Sequence, residues 1–412
     1  MSLAVTAIRS PYALYDTAPP PGVPVLAIDP FSKAYFDDPY PAQEQMRESG
    51  PFFWLSRYGV GGVARYELVR EVLTDWKTFC SARGVGMEDF ARHSRFRLRS
   101  LILEADPPEH DISRQVLARA LSPSVLGGLR ERFEAQATTL VEKLIERRTF
   151  DAVADLAQAY TLSIFPDAIG MGVEGREKLL PHADALFNSF GPRNEFFEAS
   201  RAKANFAWVE EQGRRENLRS DRIGMLVHEA ADRGEISAEA AAMLVRALLQ
   251  AGLDTTVNSI AAALHALATF PSEWAKLRAD PNLARNAFDE AIRFESPAQT
   301  FFRTATKPAV LGGAPVEEGA KVLVVLSAAN RDPRKWTEPD RYVITRRQLG
   351  HVGFGAGIHA CVGQVLAKLE GEVLLSSLAR HLKTINLAGE PLRHYNNTIR
   401  GWATMPMTIV AT

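Results

Sequence analysis

The stretch FGAGIHACVGQ, residues 354–364, packs three glycines around one of the chain's two cysteines and sets a histidine two residues before it. Val362, Val365, Leu366, Leu369 and Val373 follow at helical spacing, which predicts an amphipathic helix with Cys361 at its start. Free N–H groups and the helix dipole favour a thiolate there. Gly355, Gly357 and Gly363 remove side chains on both sides, which suits close backbone approach to something large and flat.

Three readings of Cys361 follow. A lone cysteine is commonly a small buried hydrophobe. Gly355-Ala-Gly357-Ile-His-Ala360 also fits the G-x-G-x-x-A turn of dinucleotide-binding folds, but that turn needs a buried strand before it, and TRRQLGH is polar. The third reading is a thiolate ligand to haem iron.

Composition narrows the class. Across 412 residues, Lys+Arg 48 balance Asp+Glu 49, which argues against nucleic acid as a partner. Cys80 and Cys361 lie too far apart in sequence to suggest a disulfide framework or a clustered zinc site. The first 30 residues carry neither the basic start nor the apolar run of a signal peptide, and no stretch of about 18 apolar residues predicts a membrane span. The expectation is a cytoplasmic protein.

The proline-rich segment 1–30 predicts an extended arm, and PFFWLSRYGVGGVARY (51–66) predicts a hairpin. Helical periodicity dominates from about 112 to 285, and strands return at 309–327 and after Arg400. Without repeats or linkers, the expectation is one mainly α domain over 1–412, with small β-sheets. One helix is predicted from Ala238 to Phe270, capped by Ser237 and closed by Pro271, roughly 50 Å long at 1.5 Å per residue. A second is predicted to open at Asp280-Pro281 and to end at Ser296-Pro297.

The long helix carries a defect, AGLDTT (251–256), rich in poor helix formers. Helical spacing aligns Ala247, Ala251 and Thr255, leaving room for a flat ligand; Arg246, Gln250 and Asp254 form the neighbouring row. The alternative is a packing notch under a crossing helix. EAIR pairs Glu290 with Arg293, and HDISR pairs His110 with Arg114; each is a weak signal alone.

Together, F-G-x-G-x-H-x-C-x-G, A-G-x-D-T-T and E-x-x-R resemble the cytochrome P-450 superfamily of haem-thiolate monooxygenases, in order and spacing along essentially the whole chain. The resemblance implies that fold, haem b, and Cys361 as the iron ligand in a loop that includes Phe354 and Gly355. It implies that His359, His110, Arg114 and Arg303 meet the haem propionates. Glu290 and Arg293 would join Arg341 in a buried triad, and Asp254 and Thr255 would deliver protons to dioxygen.

At finer grain the chain resembles bacterial members that oxidise or O-demethylate para-substituted benzoic acids, through SLILEADPPEH, FNSFGP, SPAQTFFRT and NRDPRKW. That implies Ser100 and Arg97 at the substrate carboxylate, with Arg246 closing that end. Leu103, Phe187, Phe190, Ala251, Ala298 and Phe301 would hold a flat ring. Ala247 stands where relatives carry a serine, and Arg95, Arg97 and Arg99 compete for the anion. The implied partners are a small aromatic carboxylate, O2, and a [2Fe-2S] ferredoxin with its NAD(P)H-dependent reductase. Arg119 and Lys368 are candidate docking cations. The alternatives are a neutral aromatic substrate, a peroxide-driven peroxygenase, or a non-catalytic haem sensor.

Overall fold

Residues 254–269, DTTVNSIAAALHALAT, are dominated by small and aliphatic side chains from Val257 onward, and a helix so largely apolar belongs inside a protein. The computed structural model, which describes residues 9–94, 97–347 and 350–412, places it there. Around this central helix lie Glu109–Ala120 (α1), Leu179–Asn188 (α2), Ala238–Ala251 (α3), the helix itself, Asp254–Thr269 (α4), Ala284–Glu295 (α5) and Gln364–His381 (α6). Ile260, Leu264 and Leu267 of α4, Ala287 and Ala291 of α5, and Leu374 and Leu378 of α6 share one buried core. Val365 of the predicted apolar row is instead exposed.

The sheets sit to one side. Val25–Leu26 (β1), Phe53–Leu55 (β2), Val60–Val63 (β3), Phe79–Cys80 (β4), Thr300–Ala305 (β5) and Lys321–Val325 (β6) form one sheet in the order β1-β2-β3-β6-β5-β4. The predicted hairpin is β2 and β3, paired Phe53 to Gly62 through Leu55 to Val60. Leu392–His394 (β7) pairs antiparallel with Gly401–Thr404 (β8). The described part of the N-terminal arm lies along the sheet: Tyr15 Oη donates to the Met87 carbonyl at 2.8 Å, and Thr17 Oγ1 to that of Gly59 at 2.7 Å.

Two expectations need correction. The helix predicted over 238–270 is two helices, α3 and α4, interrupted at Gly252 and Leu253. The interruption is chemical: Thr255 Oγ1 donates to the Ala251 carbonyl at 2.7 Å and Thr256 Oγ1 to the Gly252 carbonyl at 2.9 Å. Such hydroxyl bonds compete with the backbone ladder and open a helix locally. Any Cβ at position 252 would sit 2.3 Å from the Phe165 ring, so only glycine permits this approach.

The buried triad is built differently from the expected one. Arg293 grips Glu290 with Nε and Nη2, at 2.8 and 2.9 Å, and both side chains are fully buried. The third member is Arg346, whose Nε reaches Glu290 Oε1 at 2.9 Å. Arg341 turns its guanidinium outward to Glu338 and offers the triad only its carbonyl, to Arg293 Nη2 at 3.1 Å. The chain passes Glu290 at 346, five residues later than the motif suggested.

Candidate active site

The cysteine loop is made by its glycines. Gly355 and Gly357 adopt φ of 72° and 69°, and a Cβ on Gly357 would lie 2.7 Å from the Leu73 carbonyl oxygen. The loop closes when the Cys361 N–H donates to the Phe354 carbonyl at 2.8 Å. Helix α6 starts at Gln364 behind Gly363, so Cys361 stands just ahead of it. Burial pushes the thiol's pKa up, while the N–H groups of Gly363 and Gln364 and the charges of Arg114 and Lys368 pull it down. The helix start thus offsets part of a desolvation cost, and a bound cation is what would complete the ionisation.

Above this loop opens a cavity of about 720 Å³. Cys361, Phe354, Gly355, His359, Arg114 and Arg303 line it at one end. Ala247, Ala251 and Thr255 line it from the long-helix region. Arg97, Ser100, Leu103, Phe187, Phe190, Arg246, Ala298 and Phe301 line the remainder. His110 and Asp254 stand behind the wall.

The cysteine end is a cradle for anions. Arg303 is buried, with Nη1 on the Phe302 carbonyl at 2.8 Å, and burial pushes its pKa down to about 10, opposed by Asp106 and Cys80. Arg114 donates to the Ala360 carbonyl. The His110 and His359 rings lie 4.6 Å apart, centroid to centroid. His110 Nε2 and both ring nitrogens of His359 are buried without a hydrogen-bond partner, although Asp106 comes within 3.5 Å of His359. Burial first, then the Arg303 and His110 charges, hold the His359 pKa below the usual imidazole value against the pull of Asp106. Buried donors lacking partners cost free energy that carboxylates would recover. A cavity of this size, a thiol at its floor and such donors at its edge fit haem and its two propionates.

At the opposite wall, α4 continues the hydroxyl pattern. Asn258 Nδ2 donates to Asp254 Oδ1 at 3.0 Å, and Ser259 Oγ to the Thr255 carbonyl at 2.7 Å. Asp254 Oδ2 is buried with no partner. Burial, and after it the charge of Asp184, push the Asp254 pKa up to about 7, against the opposing effects of His394 and Asn258.

The cavity wall at Phe187, Phe190 and Phe301 is aromatic. Phe187 meets Phe190 edge to face at 5.8 Å, and Phe190 meets Phe301 at 5.8 Å. The arginines divide sharply. Arg97 places Nη1 and Nη2 on Glu104 at 2.7 and 2.6 Å and Nε on Ser189 at 3.1 Å, and Arg99 pairs with Glu109. Arg95 lies outside the described residues. Arg246 is different: its side chain is 7% exposed, Nε is buried without a partner, and Nη1 only approaches the half-exposed Glu210, at 3.4 Å. Burial lowers its pKa. Ser100 Oγ accepts from the Leu103 N–H at 3.2 Å, leaving its own proton to donate.

Sequence reasoning missed Phe206 and Glu210 on the wall, and gave Gln250 no role although it stood in the Arg246 row. Gln250 Nε2 lies 2.7 Å from His182 Nε2, and burial followed by the Arg246 charge holds His182 down at about 4. The candidate docking cations are both engaged: Arg119 with Glu235, and Lys368 with Asp289 at 2.8 Å.

A cysteine thiol at the floor of a large cavity, with a carboxylate cradle at its rim and a hydroxyl-opened helix across it, is the site of a haem-thiolate monooxygenase. Comparison with known proteins agrees. The family profile described as Cytochrome P450 matches residues 162–398, and the chain belongs to that family, whose cofactor is haem b held by a cysteine thiolate. It is 55% identical over 391 residues to cytochrome P450 CYP199A2 of Rhodopseudomonas palustris, covering 94% of this chain and 95% of that one. It is 30% identical over 403 residues to cytochrome P450 107B1 of Saccharopolyspora erythraea, covering 92% and 96%. Among solved structures, cytochrome P450 CYP109Q5 from Chondromyces apiculatus superimposes with a TM-score of 0.79 at 29% identity, covering 93% of this chain and 98% of that one. Among the described residues, no helix is long and apolar enough to cross a membrane.

Proposed function

We propose that this monooxygenase oxidises a small aromatic carboxylic acid, such as a para-methoxybenzoic acid, using two electrons from a [2Fe-2S] ferredoxin. One oxygen atom of O2 enters the substrate, and the other leaves as water with two electrons and two protons. Haem held by Cys361 supplies the activation of dioxygen. His359, His110, Arg114 and Arg303 hold its propionates.

The chain's own residues do the rest. Phe187, Phe190 and Phe301 hold the ring, and Leu103, Ala251 and Ala298 leave a flat slot beside it. The observation that carries the substrate class is Arg246, a buried guanidinium on the cavity wall whose Nε lacks a partner. Such a charge is costly unless an anion meets it, and the half-exposed Glu210, 3.4 Å from Nη1, leaves Nε unmet. Ser100 adds a hydroxyl, whereas Ala247 adds only space. Thr255 lines the cavity with its hydroxyl proton on the Ala251 carbonyl; when that proton turns toward the cavity, Oγ1 passes it forward while accepting another from behind. Asp254 is the acid that reloads it.

The test is spectral titration of para-methoxybenzoic acid against its methyl ester, which matches it in shape without the charge. The acid should bind tighter by tens- to thousands-fold, the equivalent of about 2–5 kcal/mol for a buried charge-assisted contact. Arg246→Ala should remove most of that preference. Equal binding of acid and ester to the unaltered enzyme would move the substrate to neutral aromatics.

A further inference from the structure

Each turnover consumes two protons, yet Asp254 has its unpartnered Oδ2 shut away from solvent and does not touch the cavity. Something must reload it. We propose that Asp184 of α2 and His394 of β7 form the solvent-side intake that passes protons to Asp254. This rests on reading Asp254 and Thr255 as the relay to the cavity.

The geometry gives the route two open ends. His394 Nε2 lies 2.7 Å from Asp184 Oδ1, and the two side chains are 37% and 21% exposed. The outer end therefore meets water; inward, His394 pairs in register with Gly401, which lies so close to Asn258 that a Cβ there would sit 1.7 Å from its Oδ1, and Asn258 Nδ2 donates to Asp254 Oδ1 at 3.0 Å. Among the described residues, the bonds to the Asp184 carboxylate gather on Oδ1: Asn396 Nδ2 at 2.8 Å and Asn188 Nδ2 at 3.4 Å join His394 there. Oδ2 stays clear of them.

A structural clasp would need no histidine. Asn396 already fastens this segment to α2, donating to both the carbonyl and the carboxylate of Asp184 at 3.0 and 2.8 Å. The electrostatics of the two groups point the same way. Asp254 is pushed up to about 7 by burial and by Asp184. For His394 burial lowers the pKa, but the bond and charge of Asp184, with the charge of Asp254, outweigh that and the opposing Lys203, so it ends above the usual imidazole value. An acid whose pKa lies near the working pH gives up and regains its proton with little loss, which suits Asp254 to a relay.

His394→Gln tests this in the holoenzyme, because glutamine can still donate to Asp184 but cannot carry a proton. Turnover at saturating substrate should fall about tenfold or more, a modest case of losing a proton-transfer group. The fall of turnover with rising pH that His394 imposes should vanish, while substrate affinity and melting temperature stay unchanged. In the ferric protein, the His394 imidazole followed by NMR should titrate at lower pH in Asp254→Asn, because a facing negative charge is gone. A slower His394→Gln enzyme with the wild-type pH profile would make the residue structural and overturn the intake. A wild-type rate in His394→Gln beside a slowed Asp254→Asn would overturn the intake and leave the relay standing. Wild-type rates in both would remove the relay itself, and the intake with it. A His394 titration indifferent to Asp254→Asn would separate the two groups and overturn the proposal independently of turnover.

Discussion

Arg97 grips the buried Glu104 with both arms of its guanidinium, at 2.7 and 2.6 Å, within the cavity wall. Glu104 also accepts the Ser100 N–H at 3.2 Å, so the pair ties the 97–104 loop to itself. Arg97→Ala would strand a fully buried carboxylate, and breaking a buried pair costs about 3–5 kcal/mol. The expected outcome is a large loss in urea stability with the preference for acid over ester retained. Glu104→Gln in the same chain should recover much of the stability, since the uncompensated charge is then gone.

The two arginines near Glu290 separate in the same way. Arg346→Ala removes a 2.9 Å contact to a fully buried carboxylate, whereas Arg341→Ala removes an exposed pair with Glu338. Exposed pairs contribute about 0–1 kcal/mol. Denaturation should show Arg346→Ala strongly destabilised and Arg341→Ala close to wild type. Equal losses would return Arg341 to the triad.

Thr255→Ala should leave substrate binding intact while diverting reducing equivalents into released hydrogen peroxide. The hydroxyl sits on the cavity wall and bonds only the Ala251 carbonyl, so its removal opens no packing defect in the core. The check is the ratio of peroxide to product per reductant consumed. Thr255→Ser, which restores the hydroxyl, should recover coupling.

How far the sequence reached follows from which contacts are local. The row Ala247, Ala251, Thr255 was legible because helical spacing alone puts those residues on one face. The cysteine loop was legible because its glycines and helix start are neighbours in the chain. The break between α3 and α4 was legible as a defect but not as a break, because Phe165 completes it from elsewhere. Arg97 carried the right charge in the right loop, yet its partner is a carboxylate of that loop rather than a ligand. No spacing rule could have chosen Arg346 over Arg341, since the chain's path past Glu290 decides it. His394 and Asp184 are 210 residues apart and meet only in three dimensions.

Asp254 also governs stability against pH. Its folded pKa, about 7, lies above the ordinary 3.8, with burial the main cause, Asp184 adding to it, and His394 and Asn258 opposing. Between those values the folded chain holds a proton that the unfolded chain has released. Stability contributed by this group therefore falls as pH rises from about 4 to about 7, and stays level above that. His394 moves in the same direction over a later window: its raised pKa adds stability below the usual imidazole range that is lost as pH passes the folded value. Asp254→Asn keeps the shape and the Asn258 neighbour but cannot ionise. Its urea midpoint should therefore gain on wild type between pH 5 and pH 8, with the gain concentrated below pH 7 and the remaining slope left to His394. A difference between the two proteins that is constant from pH 5 to pH 8 would mean that Asp254 ionises as an ordinary carboxylate, and an acid ionised that early could not reload Thr255 near neutral pH.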